Sequence, residues 1–350
     1  MEVYIRLKKK KNVNAFKFLS LLQKIKTLEN LKRMGCEENK RIIKKLLELE
    51  KNGIVEFDID STNSKLKELY RNLNDQRKVS RICKRNAGFW NLVGEEIEWI
   101  KRPKDLDYLS IDSPFNSLKT FEREIYFNLI NPYLKNIKKN SLILDAGGGI
   151  GRFTIELAKM GYRVHLVDFC KTSLKKAIRH ALEKKLIERI DFWWEDINNL
   201  SVFPDNYFDA VFAIEVICYC ANPLKALKEL VRVTRKGGLL FISVEGKYGS
   251  MLVDPRISLR EFESIYYRNK LCIKNDVFVN YYTKEEFKKL IKKARMKVLS
   301  IKGCHYVADG IFHEFLSEKN YEKLLKIEKI CRKDQRFNRL ARAWLGIGEK

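Results

Sequence analysis

The run Leu142-Ile-Leu-Asp-Ala-Gly-Gly-Gly-Ile-Gly151 limits what this chain can become more than any other stretch. Ser141 to Asp145 reads as a short apolar strand that ends in a carboxylate. Gly147, Gly148, Gly149 and Gly151 follow, and then a helical pattern runs through Phe153, Ile155, Leu157 and Ala158. A strand, a glycine-rich turn and a helix in that order make a cradle for a nucleotide-like cofactor. Glycine lets the backbone approach a ligand closely, and the turn sits at a strand's carboxyl end. The phosphate-binding pattern Gly-x-x-x-x-Gly-Lys-Ser/Thr is absent, and the residue ahead of the glycines is an acid.

The residues downstream narrow the choice. Gly161 to Asp168 reads as a second strand ending in an acid 17 positions beyond Gly151, where a carboxylate can accept two ribose hydroxyls. Ile190 to Asp196 reads as a third strand, with Asp196 placed for an adenine amino group and Ile197 for the ring. Phe203 to Ile214 gives a turn and a fourth strand. A helix through Leu224, Leu227 and Leu230 leads to a fifth strand, Leu239 to Val244. An acid beside the glycine loop suits the cationic amino group of S-adenosylmethionine (SAM) better than a pyrophosphate.

On these residues, about 105 in all, the chain resembles the class I SAM-dependent methyltransferases, and among them the ubiquinone/menaquinone-biosynthesis group. The match rests on the Asp145–Gly151 loop, the strand end at Asp168, the Glu195-Asp196-Ile197 step, the Pro204–Val211 turn and the Arg235–Gly238 turn. The resemblance implies an α/β Rossmann-like sheet of seven strands, the last antiparallel, with Lys297–Ile301 and Arg339–Gly346 as the final two. It implies that Asp145, Gly147, Gly149 and Gly151 hold the methionine part of SAM. Asp168 and Phe169 would hold the ribose and ring, and Asp196 and Ile197 the adenine, with Ile214 near the transfer position.

Methyl transfer from a sulfonium requires in-line approach and a dry pocket more than dedicated catalytic groups. The fourth strand is not followed by Asn/Asp-Pro-Pro-Tyr/Phe or by Pro-Cys, which disfavours N6-adenine and 5-methylcytosine chemistry. His305 and His313 are the candidates for a general base toward an oxygen nucleophile. His165, inside the second strand, reads as core. Tyr281, Tyr282 and residues 247–256 are candidates for the substrate entrance, with Lys247 or Arg256 able to bind an acidic group.

The net charge of +25 is unevenly placed: +12 over residues 1–90, 0 over 91–140, +2 over 141–245 and +11 over 246–350. The basic surface therefore lies outside the cofactor segment. Residues 14–50 read as three short helices, Ala15–Leu22, Thr27–Met34 and Glu37–Lys51, and a strand follows at Ile54–Phe57. The run Thr27–Val55 resembles a winged helix-turn-helix. Lys40, Arg41, Lys44 and Lys45 can then enter a nucleic-acid groove, although Glu37 and Glu38 at the helix start repel phosphates. The alternative is a dimerisation or lid unit.

Three parts are expected: a small, mainly helical, winged-helix-like basic domain over 1–90, a connector with a helix over the cofactor site at 91–140, and the methyltransferase domain at 141–350. The eight cysteines include no C-x-x-C pair, so neither a disulfide framework nor a metal site is expected. No apolar run is long enough to span a bilayer, and the basic N-terminus lacks a secretory pattern, giving a cytoplasmic expectation. The first expected acceptor is a small-molecule or lipid-like metabolite. RNA, bound through the basic flanks, is the second, and a SAM-binding regulator the third. A homodimer through the N-terminal unit is compatible with all three.

Overall fold

The computed structural model describes residues 3–8, 27–33, 36–64, 66–68, 107–113, 115–253, 257–272, 278–307, 316 and 318–350. The expected helix at 15–22 lies outside the described residues, as do His313 and Arg256.

Five parallel strands build the centre of the sheet. They are β3 (Leu142–Ala146), β4 (Arg163–Asp168), β5 (Ile190–Trp194), β6 (Phe208–Ala213) and β7 (Thr234–Gly246). β3 lies between β4 and β6. The chain therefore runs outward through β4 to β5, then crosses to β6 and β7 on the other side. This reversal opens a crevice at the carboxyl ends of β3 and β6, the usual ligand position in such sheets. The sheet is completed by two strands from the end of the sequence. β11 (Ala343–Glu349) is antiparallel to both β7 and β10 (Lys297–Cys304), giving the order β10-β11-β7-β6-β3-β4-β5.

The final strand starts four residues later than its expected position and runs three residues further. Residues 338–340 form a 3-10 turn, and the strand passes through Gly346 and Gly348. A Cβ on Gly346 would stand 2.9 Å from the Phe287 ring, and one on Gly348 would stand 2.1 Å from Met296 Cε. These glycines are strand residues because large neighbours fill the space their side chains would take.

Helices cover both faces. On one lie α3 (Asn116–Leu134), α4 (Thr154–Lys159) and α5 (Lys171–Glu183), and α10 (Glu318–Lys333) packs beside them against β10. α3 buries Phe121, Ile125, Tyr126 and Ile130 there, matching its expected apolar stripe. The other face is covered by α6 (Pro223–Val233) and α9 (Lys284–Lys293), through Leu227, Leu230, Phe287 and Ile291. α6 begins where Asn222 caps the N–H of Lys225 and Pro223 presets the first turn. Between β7 and α9 the chain adds α7 (Lys247–Val253), α8 (Leu259–Arg268) and a hairpin of β8 (Lys270–Cys272) with β9 (Phe278–Tyr282).

The N-terminal residues form β1 (Val3–Leu7), α1 (Leu28–Lys32), α2 (Cys36–Lys51) and β2 (Val55–Ile59), with β1 and β2 antiparallel. α2 keeps the expected two faces. Lys40, Arg41, Lys44 and Lys45 are exposed, whereas Ile42, Ile43, Leu46 and Leu49 are buried. That buried face packs on α5, and β2 lies against α5 and β5. Leu46, Phe57 and Ile59 join the same apolar cluster as Leu174, Ile178 and Phe192 of the sheet layer. Each such side chain contributes about 1.5–3 kcal/mol by leaving water. The core of the N-terminal unit is therefore continuous with that of the sheet.

Candidate active site

The glycine loop adopts a conformation that requires glycine. Gly147, Gly149 and Gly151 all have positive φ, at 72°, 55° and 92°. A Cβ on Gly147 would lie 2.6 Å from the methyls of Val216, so the loop after β3 rests directly on the segment after β6. Asp145 lies beneath the loop and is buried. Its Oδ2 accepts the Thr154 hydroxyl at 2.5 Å, which ties the end of β3 to the start of α4. Burial pushes its carboxyl up to about 6, against the Thr154 hydrogen bonds that lower it.

Asp168, at the end of β4, turns toward the loop. Its Oδ2 accepts the N–H of Gly149 at 2.8 Å and its Oδ1 the N–H of Cys170 at 2.7 Å. An anion thus already occupies a loop amide that a phosphate would need, and a second negative group there would be repelled. Acids at successive strand ends suit hydroxyl and amino donors, so the donor set fits SAM. Asp196 Oδ1 accepts both the backbone and side-chain amide of Asn198, at 2.9 and 2.8 Å, and Ile197 is buried beside it. The Phe169 carbonyl accepts Trp194 Nε1–H at 2.8 Å. The Phe169 ring packs with Tyr108 and Leu109 around Ile150.

Residues 107–113 cover this loop. The Tyr108 hydroxyl is the atom nearest the position of a Gly149 Cβ, at 3.8 Å. The cover is fastened to α5 through Asp107, which accepts from Arg179 Nη2 at 2.6 Å and pairs with His180 Nε2 at 2.8 Å. Nothing in the polar run around Asp107 marks this contact. Only the expected role of 91–140 as a cover over the cofactor points to it.

A second polar group lies across the crevice, at the carboxyl ends of β6 and β7. Ile214 is buried, and the next residue, Glu215, has φ of 60°. That left-handed backbone costs about 1–2 kcal/mol in a residue with a side chain. The Glu215 N–H donates to Ser243 Oγ at 2.7 Å and its carboxylate pairs with Arg152 at 2.8 Å. Arg152 also pairs with Glu122 at 3.1 Å, and Glu122 with Lys119 at 2.7 Å. Burial favours a neutral Glu215, but the Arg152 cation, helped by Lys119, overrides it and holds the carboxyl well below the usual range.

His305 adjoins this group. It too has positive φ, at 61°, and meets the Tyr126 ring edge-on at 4.8 Å. The imidazole is 3% exposed, and its Nε2 has no hydrogen-bond partner among the described residues. α10 holds the turn that carries it. Glu328 accepts the N–H groups of Tyr306 and Val307 at 2.8 and 3.3 Å, and Arg332 Nε donates to the Gly303 carbonyl at 2.7 Å.

Other expected contributors lie elsewhere or have partners. His165 is core, stacked on Trp193 and 3.3 Å from Asp191. Lys247 donates to the Tyr266 carbonyl at 2.7 Å, which ties α7 to α8. Tyr281 and Tyr282 sit at the end of β9, beside Glu245 and Gly246 of β7. Glu245, which is buried, pairs with the half-buried Arg342 at the end of β7. Arg152 and Glu215 were not among the expected site residues. Their positions, after the glycine loop and after the fourth strand, were the available signal.

Residues 144–242 match the family model of a methyltransferase domain. The mitochondrial ubiquinone biosynthesis O-methyltransferase of Dictyostelium discoideum is 28% identical over 150 residues, covering 38% of this chain and 47% of that protein. An uncharacterized methyltransferase of Schizosaccharomyces pombe is 35% identical over 114 residues, covering 30% of this chain and 40% of that protein. The chain thus spans less than half the length of these relatives. A SAM-dependent methyltransferase of Methanosarcina mazei aligns in structure with a TM-score of 0.47 at 18% identity, over 63% of this chain and 96% of that one.

Proposed function

We infer, from the premise that this chain carries a class I SAM-dependent methyltransferase domain, that it methylates an oxygen of a small or lipid-like metabolite. The observation that carries this reading is the burial of the polar group beside the crevice of β3 and β6. Glu122, Arg152 and His305 are 1%, 5% and 3% exposed, so an acceptor atom that meets them has left water. A small molecule can be enclosed this way. A base in a folded RNA would first have to be pulled from its stack. The O-methyltransferase name of the Dictyostelium relative favours oxygen as the acceptor atom.

Bound SAM supplies a methyl group on a sulfonium that departs as a neutral thioether. The glycine loop and Asp168 give the ligand a preformed edge, and Tyr108 closes it from water. Arg152, paired with Glu215, fixes the polar wall at the end of β6. His305 Nε2 would accept the acceptor's hydroxyl proton as the oxygen takes the methyl group that bound SAM would supply.

The test is incubation with methyl-labelled SAM and a cell extract separated into RNA, protein and small molecules. Label is expected in the small-molecule fraction and should fall at least ~100-fold with His305→Ala. Label confined to RNA would overturn this reading and favour the exposed Lys40, Arg41, Lys44 and Lys45 face of α2 as an RNA contact.

A further inference from the structure

The loop after β2 reaches the cofactor half of the sheet. Thr62 donates both its backbone N–H, at 2.9 Å, and its hydroxyl, at 2.6 Å, to Oε1 of Glu195. Glu195 is 1% exposed and stands between the end of β5 and Asp196. Its own N–H donates to the carbonyl of Asp168 at 3.2 Å. Asp168 in turn holds Gly149. Three successive residues link the N-terminal unit to the glycine loop: Thr62 binds Glu195, Glu195 binds Asp168, and Asp168 binds Gly149.

A buried carboxylate is tolerated only when donors replace the water it has lost. Among the described residues, Thr62 supplies every hydrogen bond the Glu195 carboxylate receives. The seam around it is built for a fixed geometry. Lys171, the first residue of α5, pairs with Asp58 of β2 at 2.7 Å and lies over the Trp194 ring at 4.6 Å. Lys32 of α1 pairs with Asp191 of β5 at 2.9 Å. The Lys171–Asp58 and Lys32–Asp191 pairs join the N-terminal unit to the part of the sheet that carries Asp168 and Asp196.

We propose that Thr62 is a positioning residue for SAM. It fixes Glu195, and through it the edge formed by Asp168 and Asp196, in the arrangement that receives the cofactor's adenosine end. The N-terminal unit is then part of the cofactor site. Its docking and SAM binding favour one another by the same factor. This holds whatever the acceptor, so it stands or falls apart from the small-metabolite reading.

Calorimetry of the full chain with SAM tests it. Thr62→Val keeps the side-chain volume and the backbone donor but removes the hydroxyl. SAM should bind the variant about ten-fold more weakly, with the thermal midpoint of the cofactor-free protein within a few degrees of wild type. Thr62→Ser should bind within about two-fold of wild type, because its hydroxyl remains. Equal dissociation constants for wild type and Thr62→Val overturn the proposal. So does a lowered midpoint with unchanged affinity, the signature of a purely structural clasp. Should Thr62→Val not fold, hydrogen exchange on the wild type decides. Saturating SAM must slow exchange at the Thr62 amide and along β2, and an unchanged rate overturns the proposal. A wild-type chain that does not bind SAM would remove the cofactor assignment itself, and the first titration shows this.

Discussion

Arg152 Nη2 stands 2.8 Å from Oε2 of Glu215, while Nη1 of the same guanidinium stands 3.1 Å from Oε2 of Glu122. One buried guanidinium thus bridges two carboxylates from different elements, one on α3 and one after β6, and Lys119 supplies the second positive charge at Glu122. Arg152→Leu should lower the unfolding free energy by about 3–5 kcal/mol, because it leaves the Glu215 carboxylate without its counter-charge and the buried Glu122 with Lys119 alone. Urea denaturation at pH 7 measures this. A loss below about 1 kcal/mol would mean that Lys119 or water takes over the role of Arg152.

Asp145 makes a prediction with the opposite sign from most buried acids. Its carboxyl is raised to about 6, so between its ordinary value and pH 6 the folded state binds the proton more tightly than the unfolded chain does. Its contribution to stability is therefore largest below about pH 4 and declines as pH rises to about 6. Above that, the ionised group opposes folding by on the order of 2–3 kcal/mol. Asp145→Asn can keep the Thr154 hydrogen bond without carrying the charge. At pH 7.5 the variant should be more stable than wild type, and its stability should lack the decline between pH 4 and 6. Parallel stability curves for the two proteins would show that Asp145 ionises normally.

The cover over the glycine loop should weaken in base. Burial opposes a charged His180, but its hydrogen bonds to Asp107 and Glu183 prevail and raise its pKa. Burial likewise opposes an ionised Asp107, and the His180 bond, with Lys176 and Arg179, prevails to lower it. The raised imidazole contributes fully below its unfolded value near 6.5, and that contribution is lost as pH climbs through the folded value. The lowered carboxyl loses its contribution only in acid. Amide exchange at Tyr108 and Leu109, corrected for the intrinsic rate, should be faster at pH 8.5 than at pH 6. His180→Ala should abolish most of that difference, and a pH-independent rate in the wild type would contradict the fastening role of His180.

The strand end at Asp168, and those one residue after Asp145 and two before Asp196, were legible because each is set by local sequence, an apolar run stopped by an acid, at a spacing one strand and one helix impose. The same locality explains α2, whose 3.6-residue pattern separates Ile42 and Leu46 from Lys44 and Lys45. The Arg152–Glu215 pair spans 63 positions and the Thr62–Glu195 pair 133, and neither residue in either pair differs locally from a solvated one. Such pairs exist only once the sheet order is known. His305 was legible as a scarce histidine near the end of the sheet. Its left-handed backbone and its support by Glu328 of α10 were not, because both depend on a helix that returns from further along the chain.

The place of β11 has a consequence for how the molecule is assembled on the ribosome. It lies between β7 and β10, so neither of those strands can pair fully with its neighbour until residues 343–349 have emerged. Until then the apolar edge of β7, including Phe241, Ile242 and Val244, has no partner on that side. The nascent chain carries an unpaired and sticky strand while residues 247–342 are made, a hazard for aggregation. The parallel half, β3 to β5, can close earlier, and with the N-terminal unit it can present the adenosine edge before the other side of the crevice exists.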